Sequence, residues 1–164
     1  MSPPIHIRLS KEEEASILTQ WIARPDDLRW FPMTDQREID DAVRIWVGYT
    51  LRHASFTAEY EGEIAGMAVL YLQPYQKLAH HCLFAIIVSA KHRNLGIGKA
   101  LIEHFEKVAK DEFHIEIMHL EVYENNPAIH LYQRLGYKEY GRHPRFIKEN
   151  GKYICKILMQ KRLK

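Results

Sequence analysis

Hydrophobic positions change period several times along the chain. Residues 5–9 alternate, with Ile5, Ile7 and Leu9 against His6 and Arg8, which predicts a short strand. Ser10 with Glu13 three residues on has the form of a capping box, and it opens a predicted helix that runs to Arg24 and stops before Pro25. Residues 25–34 keep no clear period and read as a loop, unusual for the aromatics Trp30 and Phe31 beside Pro32. Asp35 with Glu38 marks a second helix start, after which Ile39, Val43, Trp46 and Val47 recur down one face.

From Phe56 the period falls to two. Phe56, Ala58 and Tyr60 alternate, Glu61-Gly62 turns the chain, and 64–72 is strand-like, which together predict a hairpin. The continuous apolar run 82–88 fits a central strand covered on both faces. A helix follows with Leu101, Phe105, Val108 and Ala109 inside and Glu103, Glu106, Lys107 and Lys110 outside, and then a strand over 115–123. Strand, helix, strand implies a parallel pair joined by a right-handed crossover. A short helix comes next, with Asn126 as N-cap, Pro127 at its first position and Gly136 as the left-handed residue after its end. Residues 137–141 and 153–161 predict two closing strands separated by a loop over 142–150. There is no repeat, linker or low-complexity tract, so the fold class is α/β, a mixed sheet flanked by helices in a single domain over 1–164.

Composition narrows the function. A chain of 164 residues suffices for one core, and 46% hydrophobic with 27% charged residues excludes disorder as the main state. The densest apolar runs, 65–72 and 82–88, are far shorter than the ~20 residues a membrane helix needs. The stretch Met1-Ser2-Pro3-Pro4-Ile5-His6 has no cationic segment followed by an apolar one, so a cytoplasmic location is expected. Cys82 and Cys155 lie in apolar runs and read as buried reduced thiols. With 23 basic and 21 acidic residues, the balance of +2 gives no reason to expect nucleic acid, and the basic run 156–164 reads as a solvated strand end. Ten histidines raise the question of zinc, but neither a His-Glu-x-x-His helix nor a Cys-x-x-Cys pair is present, and no metal is expected.

Two motifs carry chemistry. Arg93-Asn94-Leu95-Gly96-Ile97-Gly98 lies between a buried strand and an amphipathic helix, where glycines let backbone N–H groups and the positive helix end approach an anion, with Arg93 and Lys99 adding charge. The alternative is a tight turn whose glycines serve sterics alone. A dinucleotide fingerprint needs a small residue where Leu101 stands, and no Gly-Lys-Ser/Thr ending suggests a P-loop. The second motif runs Asn125-Asn126-Pro127-Ala128-Ile129-His130-Leu131-Tyr132-Gln133-Arg134-Leu135-Gly136-Tyr137, in which Ala128, Leu131, Tyr132 and Leu135 form one stripe and turn Tyr132 inward.

Together the two motifs resemble those of the Gcn5-related N-acetyltransferases, the GNAT superfamily. The resemblance is close over 82–137. It implies a sheet whose parallel strands, 82–88 and 115–123, splay to admit the pantetheine arm of acetyl-CoA. It also implies that the backbone of Ile86, Ile87 and Val88 pairs with pantetheine amides. The turn Arg93, Asn94, Leu95, Gly96, Ile97, Gly98 and Lys99 would hold the pyrophosphate. Asn125, or its neighbour Asn126, would bond the arm, because the 121–125 segment is one residue shorter than is usual in relatives. Asn94 replaces a frequent glycine, which asparagine tolerates. Tyr132 would stand beside the sulfur.

Some relatives carry a basic glutamate near the position of Cys82, so the general base stays open between His80, His81, Glu121, Tyr123 and a water chain, with His130 on a solvated face. The expected function is transfer of acetyl from acetyl-CoA to a primary amine, of a small molecule first and of a protein N-terminus or lysine as the alternative. A non-catalytic acyl-CoA binding module is the reading from another class. The acceptor pocket is expected between the 25–34 and 142–150 loops with Trp30 and Phe31 as walls, and a homodimer is a common habit of the superfamily.

Overall fold

A computed structural model describes residues 3–163, so Met1, Ser2 and Lys164, at the ends of the leader and basic-tail readings, lie outside the described residues. Strand β1 (Ile5–Leu9) leads into a 3-10 turn (Glu12–Glu14) and helix α1 (Ala15–Ala23). The expected cap is shifted here: Ser10 is buried, with its hydroxyl within 3.0 Å of the Ser55 and Thr57 hydroxyls, and it is Glu14 that accepts the Lys11 N–H at 2.8 Å. The following loop begins with one helical turn, α2 (Pro25–Leu28), seeded by Pro25 at its first position. Helix α3 (Gln36–Gly48) starts as expected, with Asp35 accepting the Glu38 N–H at 2.9 Å and Glu38 accepting the Asp35 N–H at 3.2 Å.

Strands β2 (Ser55–Tyr60) and β3 (Glu63–Tyr71) form the expected hairpin. Glu61 and Gly62 both have positive φ, +50° and +80°, the conformation of a tight twist-matched turn. Then come β4 (His81–Val88), α4 (Ile97–Phe113), β5 (Ile117–Tyr123) and α5 (Ala128–Arg134), the last closed by Gly136 at φ +96°. The sheet order is β1-β2-β3-β4-β5-β7-β6, antiparallel throughout except for the parallel β4/β5 pair.

The end of the chain differs from expectation. β6 (Lys138–Glu149) runs straight through the expected 142–150 loop and turns only at Asn150-Gly151 into β7 (Lys152–Arg162). Its pairing slips between Glu139 and Gly141 and again between His143 and Ile147, where Arg145 adopts φ +55°. Such bulges bend a strand without ending it.

Alternation along β3 and β4 divides the core into two layers. Met67, Val69 and Ile87 pack under α1 and α3 with Leu18, Ile22, Val43 and Trp46. Ala68, Leu70, Cys82 and Phe84 pack under α4 and α5 with Leu101, Phe105 and Tyr132. Gly66 eases this packing: a Cβ would stand 3.0 Å from the Ile97 and Leu101 side chains, so its absence lets α4 lie close against β3. Among the described residues no helix is long and apolar enough to cross a membrane, and no cluster of three metal-ligating side chains occurs.

Candidate active site

The parallel pair is joined only at its start. β4 and β5 match at His81↔Ile117, Cys82↔Met118 and Leu83↔His119, yet β4 continues to Val88 and β5 to Tyr123, each still paired on its outer side with β3 and β7. The gap between them holds a cleft of about 1260 Å³ that passes from the α4/α5 layer to the α1/α3 layer. Ser89 donates to Ala65 O at 2.8 Å, and antiparallel bonds alternate, so Ile87 exchanges bonds with β3 while Ile86 and Val88 turn their backbone groups into the gap. The Val88 carbonyl accepts from Arg93 at 3.3 Å, and the groups left open need a partner from solvent or ligand.

At the wide end of the gap the 93–99 turn leads into α4. Asn94 and Gly96 take left-handed φ of +62° and +83°, which brings the first free N–H groups of α4 to the cleft wall. Gly98 serves close approach, because a Cβ there would stand 3.1 Å from Leu131 of α5. Leu95 points away from the cleft and is exposed. The Arg93 guanidinium does not reach forward either: it binds the buried Asp27 carboxylate of α2 and the Val88 carbonyl at 3.3 Å. A buried carboxylate needs a cation, and Asp27 takes Arg93, with Arg24 a weaker partner at 3.4 Å.

Tyr132 faces the same cleft from α5, as its stripe predicts, with ring neighbours Phe84 at 6.1 Å and Tyr137 at 6.3 Å. Burial pushes its phenol up to about 12. Its hydroxyl makes no hydrogen bond among the described residues. Of the two candidate asparagines, Asn126 lines the cleft and caps α5 by accepting the Ala128 N–H at 2.9 Å, whereas Asn125 is exposed with φ +69°.

Across the gap, on the α1/α3 side, Trp30, Phe31 and Met33 from the 25–34 segment face Tyr71, Trp46 and the bulged stretch of β6 at Phe146. Beside the Asp27–Arg93 pair, this side carries Glu121 of β5 and Lys156 of β7, joined at 3.1 Å, with Lys156 Nζ also 3.6 Å from the centre of the Phe146 ring. Tyr123 lines the same wall, and burial, with Glu121 and Glu149 nearby, raises its phenol to about 12. Lys156 was missed in sequence because it begins a basic run, but it is buried in the wall of the cleft.

The model of the acetyltransferase (GNAT) family matches residues 18–137, most of the chain and every element that borders the gap except β6 and β7. The chain belongs to the GNAT family. It is 36% identical over 97 residues to an N-alpha-acetyltransferase of Sulfurisphaera tokodaii, a match covering 52% of this chain and 57% of that protein. It is 24% identical over 95 residues to the L-amino acid N-acetyltransferase AaaT of Escherichia coli, covering 57% and 59%. The chain thus spans rather more than half the length of these curated relatives. The yncA protein of Salmonella typhimurium, solved with its cofactor acetyl-CoA, shares the fold at TM-score 0.80 and 18% identity, covering 98% of this chain and 94% of that one.

In this GNAT domain the histidine candidates stand apart from the opening. His81 Nδ1 lies 3.1 Å from His119 Nε2 at the closed end, and neither residue, nor His80, lines the cleft, whereas His130 borders it from the exposed face of α5. Burial lowers both His81 and His119, which keeps the pair uncharged near neutrality.

Proposed function

We propose that this GNAT domain is an acetyl-CoA dependent N-acetyltransferase whose acceptor is the primary amine of a small molecule. One observation carries the reading: a single opening between β4 and β5 has open backbone N–H groups at Ile86 and Val88, a glycine turn at one end, Tyr132 on one side and Glu121 on the other. The residues present suit the cosubstrate. Ile86 and Val88 offer N–H groups to pantetheine, the α4 N-terminus with Lys99 suits a pyrophosphate, and the side chain of Asn126 faces the arm. Arg93 acts here as a strut to Asp27, with the phosphate held by backbone.

Acetyl-CoA supplies the activated acetyl group: the amine nitrogen forms the new C–N bond, the C–S bond breaks, the amine loses a proton and the sulfur gains one. The role we assign to Tyr132, from its position in the cleft wall, is a hydrogen bond to the departing sulfur. Glu121 is the base this geometry favours for the amine proton, because it lies in the cleft while His80 and His81 do not, and a phenol raised like that of Tyr123 stays protonated.

Transfer is direct. The Cys82 thiol is buried against the core and pushed up to about 12, far from a nucleophile's range. A Cys82→Ala, Cys155→Ala double variant is expected to retain acetyl transfer with sequential kinetics; an acetyl-cysteine trapped on the wild type would contradict this.

Gly96→Val is expected to weaken acetyl-CoA binding at least 10-fold. The site at Gly96 is open, so the cost is not a clash but a φ of +83° that a β-branched residue resists by about 1–2 kcal/mol, and relief of that strain withdraws the N–H groups. Calorimetry checks it: a folded variant with unchanged affinity would remove the turn from the binding site.

The function itself is tested by release of CoA thiol from acetyl-CoA over a panel of small amines and short peptides. Release with small amines supports the reading. Tight CoA binding without release from any amine would make the domain a binding module. The 36% identity to an N-alpha-acetyltransferase favours a peptide α-amine as the second reading, and release with peptides alone would establish it.

A further inference from the structure

We propose, building on the acetyl-transfer reading, that the acceptor is an α-amino acid and that Lys156 selects it by binding the carboxylate next to the reacting amine. Lys156 pairs in register with Tyr123 across β5 and β7, is only 8% exposed, and lines the cleft on the acceptor side. An ammonium has three N–H donors. One is directed at Glu121, at 3.1 Å, and the ammonium also lies 3.6 Å above the Phe146 ring, which accepts no second conventional hydrogen bond. Among the described residues no other acceptor reaches it.

Desolvating a cation so far is costly unless it is fully paired, and Glu121, whose side chain is 41% exposed, offers only partial compensation. The remaining donors therefore form a built receptor for an anion inside a wall rich in aromatic side chains. The Glu121 partner points to an anion that carries a cation beside it. In an α-amino acid the amine and carboxylate are held roughly 3 Å apart by ordinary bond lengths. Glu121 and Lys156 lie 3.1 Å apart with the opposite order of charge, so an ammonium on Glu121 sets the carboxylate against Lys156. The amine is thereby delivered to the proposed base. A plain amine would meet the same wall with Lys156 opposing its charge, and a peptide N-terminus would present a neutral amide where the carboxylate belongs.

The experiment compares L-phenylalanine, L-phenylalanine amide and 2-phenylethylamine, which share one ring, in the full chain with saturating acetyl-CoA. The wild type is expected to favour L-phenylalanine in kcat/KM by at least about 10-fold over both others, chiefly through KM, as recognition of a buried polar group implies. Lys156→Met is expected to collapse that ratio toward unity, with acetyl-CoA affinity by calorimetry unchanged; Lys156→Arg, which keeps the charge, retains a preference. The ratio cancels any change in Glu121 reactivity common to all three amines. Equal use of the three by the wild type overturns the proposal without any variant. An unchanged ratio in Lys156→Met also overturns it and leaves Lys156 a structural partner of Glu121. Transfer to peptides alone overturns it as well. Failure of the acetyl-transfer reading itself looks different, as absence of CoA release with every amine, and it takes this proposal with it.

Discussion

Tyr132→Phe is expected to lower kcat by about 10² or more while leaving melting temperature and acetyl-CoA affinity near wild type. The ring stays in the stripe against Phe84 and Tyr137, so its packing is kept, and the hydroxyl that is lost supports no hydrogen bond within the described residues. Stability and chemistry thus separate at one atom. The size of the effect follows from what the phenol is able to do. With its value raised to about 12, against roughly 8.5 for a free thiol, complete proton transfer to the thiolate would be uphill by about 5 kcal/mol. A hydrogen bond that stabilises the developing sulfur charge is the cheaper contribution, and the neutral phenol keeps it available across the physiological range. It follows that kcat should show no ionisation limb from Tyr132 below about pH 11. Turnover and thermal melts measured side by side decide the matter: near-wild-type kcat in the variant would return Tyr132 to a packing role.

Features set by neighbours in the chain were legible in the sequence. The Asp35/Glu38 cap, the Glu61-Gly62 hairpin and the stripe that turns Tyr132 inward all depend on residues within one or two turns of each other. So did the parallel pair, since a buried run, an amphipathic helix and a second strand leave few topologies. What was not legible depends on distant partners. Arg93 looks like a phosphate ligand until Asp27, 66 residues earlier, is seen to claim it. Lys156 looks solvated until Glu121, 35 residues earlier, and the bulged β6 are folded around it. β6 outruns the expected 137–141 because its pairing bulges across Pro144 and the left-handed Arg145 and then resumes at Ile147, a continuation set by β7 and not by local alternation. Asn125 and Asn126 are separated only by conformation: one is left-handed and exposed, the other caps α5 at the cleft.

Glu14→Ala is expected to cost about 3 kcal/mol of stability, a fall in melting temperature of about 6–12 °C for a chain of this size. The carboxylate is the centre of a cluster that fastens the start of α1 to the sheet. It binds Arg8 at 2.5 Å and accepts the Lys11 N–H at 2.8 Å, with the Thr57 hydroxyl at 3.0 Å beside Ser10 and Ser55. Removing it leaves a half-buried guanidinium, the Lys11 N–H and the Thr57 hydroxyl with fewer partners, and the penalty is their desolvation rather than the lost contact alone. Burial pulls the Glu14 carboxyl upward, but Arg8, the Lys11 N–H and Thr57 outweigh it and hold the group below the usual carboxylate value. A folded-state value below the unfolded one gives stability that is present above the unfolded pKa of about 4.3 and is lost as pH falls through the folded value. The gap between wild type and Glu14→Ala in thermal melts should therefore be constant from about pH 6 to 8 and narrow below about pH 4. Because α1 carries Ile22 of the cleft wall proposed to face the amine and leads directly into α2 and its Asp27–Arg93 pair, the variant should also raise KM for the amine more than for acetyl-CoA at temperatures where it remains folded. Equal melting of the two proteins at neutral pH would show that the cluster adds nothing beyond what water supplies to the same groups.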